Sequence, residues 1–195
     1  MARRRRRPRS FYARHPLEVA PDLIGSVLVH GGRSGRIVEV EAYCGADDPG
    51  SHAFRGRTPR TTTMFGPAGH LYVYFSYGLH WCANVVCGAE GEAGAVLLRA
   101  VAPVTGIEAM RAARARARRE RDLTAGPARL CQAFGVDGSF DGTDLVKAER
   151  GLTIVDDGAV APPAAASTRV GLSSGEDLPW RWYVRGDPNV SGRPR

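Results

Sequence analysis

Between residues 36 and 43, apolar and polar side chains alternate, the period-two pattern of a half-buried strand. Val38, Val40 and Ala42 fall on one side; Glu39, Glu41 and Tyr43 fall on the other. One side therefore packs on a core, and the opposite side carries two carboxylates and a phenol. Upstream, residues 16–30 hold Leu17, Val19, Leu23, Ile24, Val27, Leu28 and Val29, which predicts a short helix running into a strand. A turn at 31–35 then leads into the alternating segment. Strand-like runs at 71–76, 81–87 and 95–101 follow, separated by short glycine-bearing turns as in an antiparallel meander.

The clearest helix signal spans residues 107–121, an Ala/Arg run with a thin apolar face. Its arginines suit either a solvated surface or a phosphate-facing one. Pro127 opens a second helix with Leu130, Ala133 and Phe134 inward, and Gly135 stops it. From about residue 152 the chain reads as β-rich, with a turn at 155–158, a loop at 162–166 and a final strand at 180–184. Residues 44–69 form a long connection rich in Gly, Pro, Asp and Arg, and loops of this length inside a domain are usually functional or disordered.

At 195 residues the chain predicts one domain, and its 43% hydrophobic content supplies a core. A formal net charge of +7 suits a polyanionic partner such as nucleic acid or an anionic membrane surface. Nearly all the positive charge is arginine; Lys147 is the sole lysine. Cys44, Cys82, Cys87 and Cys131 form no Cys-x-x-Cys pair and no zinc-like spacing, which predicts a reduced, cytoplasmic protein. No stretch approaches the roughly 20 apolar residues of a membrane span. The arginine cluster at the start is not followed by an apolar segment, so residues 1–14 read as a disordered basic tail and 15–195 as the domain.

Several residues are candidates for chemistry. Glu41, on the polar side of a hydrophobic strand, is either a general base toward water or an ordinary strand glutamate. Asp47, Asp48 and His52 are spaced to hold a divalent metal or, beside Pro49 and Gly50, to cap a loop. With no further ligand cluster nearby, no metal is expected. Residues 55–63 mix guanidinium groups, hydroxyls and flexible backbone, which suits phosphate oxygens or a solvated loop. Asn84 and Arg99 each interrupt an apolar run and need a buried partner or a ligand; Glu41 is the obvious mate for Arg99. Tyr77 stands at a Tyr-Gly turn after an aromatic strand, where its own hairpin cannot bury it. In so basic a chain it is placed to push between stacked bases.

Together these segments resemble the alkyladenine (3-methyladenine) DNA glycosylase family. The resemblance rests on residues 35–43, on Thr58-Pro59-Arg60 with Met64-Phe65-Gly66-Pro67, and on 69–78, 95–100, 126–133, 169–171 and 183–186, in order. It implies an α+β fold, a single mixed domain of mostly antiparallel sheet with a protruding hairpin that enters the DNA minor groove. Tyr77 would take the place of a flipped nucleotide, and the base would enter a pocket of Tyr43, His52 and Tyr74. Asn84 would exclude the amino group of guanine. Glu41 would activate water, positioned by Arg99 and the backbone carbonyl of Val170.

The partner implied is double-stranded DNA bearing damaged purines, bound by a monomer without cofactor, metal or membrane. Strand-cutting glycosylases attack C1′ with an amine, and Lys147 lies far from the matched segments, so a monofunctional enzyme is expected. A binding module without catalysis and a metal-dependent nuclease built on Asp47, Asp48 and His52 are the alternatives. Cys44 after Tyr43 and the bulky Trp81 near Asn84 depart from the family pattern and are expected to alter the pocket.

Overall fold

Strand β3 (Arg33–Tyr43) is the spine of the sheet, and none of its residues is exposed. The structure is a computed structural model that describes residues 4–192. Before β3 come β1 (Arg5–Arg6), α1 (Arg9–Tyr12), α2 (Pro16–Leu23) and β2 (Val27–His30). After it come β4 (Leu71–Ser76), β5 (His80–Val86), β6 (Ala95–Thr105), α3 (Ile107–Ala113) and α4 (Pro127–Phe134). Strands β7 (Thr153–Asp156), β8 (Ala164–Ser167) and β9 (Arg181–Val184) complete the described strands.

The strand order is β1-β7-β2-β3-β6-β5-β4, with β8 added through β9, and every pairing is antiparallel. The fold is α+β, a single domain, and the meander β4-β5-β6 lies where the alternation put it. Strand β6 runs along one edge of β3. The other edge is shared: β2 pairs with residues 33–36 and β9 with Glu39, Val40 and Glu41.

The strict alternation read from β3 is broken by its pairing. Against β6, Ile37 faces Val101, Glu39 faces Ala100 and Val40 faces Leu98, so Val38 and Arg99 are each left without a partner. An extra residue on each strand makes two adjacent bulges, and a bulge shifts the side-chain phase. Ile37, Val40 and Ala42 therefore join the core, while Val38 is buried outside it, which corrects the placement of Val38. Bulges also re-aim side chains, and here the re-aimed residue is Arg99.

One face of the sheet packs on α2, α3 and α4 through Val19, Leu23, Met110, Leu130 and Phe134. The opposite face of β4–β6 presents Tyr72, Tyr74, Cys82, Asn84, Leu97 and Arg99 to a cleft. Helix α4 begins at Pro127 and ends on left-handed Gly135, as its sequence signals require. The helix expected over 107–121 stops at Ala113, where Arg114 leaves helical geometry. Only Met110 of α3 is buried, and a helix with one anchor gains little from extension. The alanines at 164–166, expected in a loop, form β8 against β9.

The basic start is not a disordered tail over its described part; residues 1–3 lie outside the described residues. Arg5 and Arg6 pair with β7, Arg7 meets Asp156 at 3.2 Å and Arg9 meets Asp144 at 2.6 Å. Each of these two arginines has a carboxylate to answer it, and Tyr12 fills the core behind them with no exposed surface. No helix among the described residues is long and apolar enough to cross a membrane. The Tyr12 hydroxyl has no hydrogen-bond partner among the described residues. Tyr12→Ala is expected to cost about 3–5 kcal/mol in urea unfolding. Tyr12→Phe is expected to be neutral or stabilising, because it removes a buried hydroxyl that bonds to nothing.

Candidate active site

The cleft has a volume of about 430 Å³ and is lined by Tyr43, His52, Tyr74, Tyr77, Asn84, Arg99 and Val170, among others. Glu41 lies behind this lining with no exposed surface. Its Oε2 accepts a hydrogen bond from the Tyr43 hydroxyl at 3.0 Å. Its Oε1 accepts one from the Val170 backbone N–H at 2.8 Å and faces Arg99 Nη1 at 3.2 Å. A carboxylate offers roughly four acceptor positions. Three are occupied, and the remaining one is on Oε2.

Burial first, and then the charge of Glu41, hold the Tyr43 phenol well above its ordinary range, so it stays a donor. Burial works against the charge on Arg99, but Glu41 and Glu39 outweigh it and raise its pKa. Arg99 is shared in a way the sequence did not reveal. Its Nε donates to Glu39 Oε1 at 2.8 Å, so Glu39 as well as Glu41 is its mate. At Val170 the group that meets Glu41 is the N–H.

The aromatic residues meet as alternation along β4 requires. The His52 and Tyr74 rings touch edge to face, with centroids 4.5 Å apart at 84°. Tyr72, missed in sequence, stacks on Tyr74 at 5.6 Å, and its hydroxyl lies 3.2 Å from His52 Nδ1. Its spacing of two from Tyr74 was the available signal. Partial burial of the ring, and then Arg60, lower the pKa of His52 and favour the neutral imidazole. Asn84 donates to the Tyr72 carbonyl across the β4–β5 pair at 3.2 Å.

Tyr77 is 87% exposed at the tip of the β4–β5 hairpin. The Leu79 N–H closes the turn onto the Ser76 carbonyl at 3.0 Å. Both central residues have positive φ, 50° at Tyr77 and 64° at Gly78, as in the two-residue turns of hairpins. That geometry suits Asn or Gly at the first position and strains a tyrosine.

Residues 10–188 match the family model of methylpurine-DNA glycosylase (MPG). The chain belongs to this family. It is 57% identical over 188 residues to a Burkholderia cenocepacia protein, covering 95% of this chain and 90% of the relative. Identity is 50% to a Streptomyces avermitilis protein, covering 94% of this chain and 89% of the relative. It is 44% to a Carboxydothermus hydrogenoformans protein, covering 94% and 97%. All three bear the name "Putative 3-methyladenine DNA glycosylase". As a DNA glycosylase, the chain is a hydrolase of N-glycosyl bonds that acts on DNA.

The cleft is shaped by a pair that sequence reasoning missed. Asp48 and Arg169, both side chains without exposed surface, form a two-pronged ion pair at 2.6 and 2.7 Å. Asp48 also accepts from the N–H groups of Cys44 and Gly50, and Arg169 donates to the Ala42 carbonyl. The guanidinium lies 4.8 Å over the Tyr43 ring. A Cβ on Gly50 would meet Arg169 Nη2 at 2.8 Å, so glycine lets the loop close on the arginine. The pair ties the loop that carries His52 to the segment that carries Val170. It also uses the Asp48 carboxylate that a metal would have needed.

Two expected pocket effects are corrected. Trp81 points to the core side of β5 and packs against Phe75, so Cys82 rather than Trp81 joins Asn84 in the cleft. Cys44 lines a separate depression with His15 and Pro16, and burial, then Asp48, push its thiol up to about 12. Asp48→Asn leaves a buried guanidinium without its counter-charge. It is expected to cost about 3–5 kcal/mol in denaturant unfolding.

Proposed function

We propose that the chain excises alkylated purines from duplex DNA and leaves an abasic site without cutting the strand. The observation that carries this reading is the buried Glu41, oriented by Tyr43, Val170 and Arg99 at the wall of the cleft. A purine inside a duplex cannot reach such a group, so it must be flipped out at a cost of a few kcal/mol. Tyr77 enters the space that the base leaves and offsets part of that cost. The base is received among Tyr43, His52 and Tyr74. Electron-poor alkylated purines stack well on these electron-rich rings, and Asn84 screens against normal guanine.

Alkylation makes the purine a good leaving group. As the C1′–N bond breaks, positive charge develops on the sugar and the Glu41 carboxylate stabilises it. Water adds to C1′ and gives its proton to Glu41. In this reading Val170 acts through its backbone, its N–H on Glu41 and its carbonyl on the water, and Arg99 fixes the geometry. Lys147 sits beside Asp144, exposed and outside the cleft, which favours a monofunctional enzyme. The names of the relatives suggest 3-methyladenine as a substrate.

Glu41→Gln is expected to lower base release from methylated duplex DNA by about a hundredfold to ten-thousandfold. Borohydride is expected to trap no covalent protein–DNA adduct with the wild type. Full activity of Glu41→Gln, or a trapped adduct, would contradict the mechanism. Tyr77→Asn is expected to relieve the strained turn and raise stability by up to about 1 kcal/mol. The same change should slow excision in duplexes more than in single strands, where unstacking costs less. Equal slowing on both substrates would mean that Tyr77 is not the wedge.

A further inference from the structure

Glu39 is as deeply buried as Glu41, and neither is among the residues that line the cleft. Its carboxylate is the hub of a closed network. Oε1 accepts from Arg99 Nε at 2.8 Å, from Arg181 Nε at 2.8 Å and from the Ser191 hydroxyl at 2.9 Å. Oε2 accepts from the Ser191 backbone N–H at 2.5 Å. Ser191 is a second hub: its hydroxyl accepts from Arg99 Nη2 at 2.9 Å, and its carbonyl accepts from Arg181 Nη2 at 3.0 Å.

Two of the three nitrogens of the Arg99 guanidinium are thus held away from Glu41, and only Nη1 faces it. A buried arginine bound at one nitrogen can rotate; one bound at three has its plane fixed. Arg99 also stands in the bulge, where no cross-strand partner fixes its backbone. Side-chain partners therefore set its direction.

We infer that Glu39 and Ser191 are positioning residues for the hydrolytic step: they fix the plane of Arg99 and divide its charge between two carboxylates. The inference rests on the reading of Glu41 as the base. Glu39 draws on the charge of Arg99, which would otherwise be directed at Glu41 alone. The other charged or titratable groups that act on Glu41 and its immediate partners are Tyr43, Tyr74, Cys82 and Arg169. None of them is removed by a change at Glu39.

The test is single-turnover release of methylpurines from methylated duplex DNA. It uses the full chain as wild type, Glu39→Gln, Ser191→Ala and Glu41→Gln. Glu39→Gln is expected to lower the plateau rate constant by about tenfold to a hundredfold. Ser191→Ala keeps both carboxylates and the backbone N–H. It should lower the rate constant by about threefold to tenfold.

A merely structural role would reduce the amplitude of release through loss of folded enzyme and would leave the rate constant as in wild type. That result for Glu39→Gln, beside an inactive Glu41→Gln, would overturn this inference alone. If Glu39→Gln does not fold, a wild-type rate constant in Ser191→Ala overturns it and a lowered one supports it. Full activity in Glu41→Gln would remove the base reading and this inference together.

Discussion

The site depends on keeping charge inside a protein interior. Glu39, Glu41 and Asp48 have no exposed surface, and Arg99, Arg169 and Arg181 are nearly as deeply buried. An isolated carboxylate in such a medium costs many kcal/mol, so each must meet a cation at hydrogen-bond distance. The fold meets this demand with arginines from β6, from the segment before Val170 and from β9. A buried lysine sheds its proton readily, whereas a guanidinium keeps its charge and offers several donors in a plane. The single lysine of the chain is at the surface, and every cation in this interior set is an arginine.

The arrangement separates two glutamates that the sequence treats alike. Glu39 and Glu41 share a strand, a face and a degree of burial. What distinguishes them is what comes from elsewhere. Glu39 is enclosed by two arginines and Ser191, which bring four donors to its carboxylate. Glu41 is met by a phenol and a peptide N–H at the cleft wall and keeps one acceptor position. In the reading adopted here, one carboxylate organises and the other reacts.

Local signals were readable in the chain. The helix from Pro127 to its glycine stop, the meander and the turn at Tyr77 each follow from a few consecutive residues. The family resemblance placed Tyr43, His52, Tyr74, Asn84 and Arg99, all of which line one cleft. Information that belongs to two strands at once was not readable. The bulges that aim Arg99 exist only in the β3–β6 register. Asp48 and Arg169 are 121 positions apart, and Glu39 and Ser191 are 152 apart. No periodicity spans such distances. The ordered start was misread because its arginines are matched by Asp144 and Asp156, which are equally remote in sequence.

The shared edge of β3 has a consequence for biosynthesis. Residues 39–41 pair with β9, about 142 positions later along the chain. A nascent chain that has emerged only as far as β6 already holds the carboxylates and Arg99, but that edge of β3 is bare and Glu39 lacks Arg181 and Ser191. Two acids then share one cation, and the strand segment that carries Glu41 is only half paired. Closure of that edge of β3, and of the network around Glu39, therefore waits on sequence as late in the chain as Ser191.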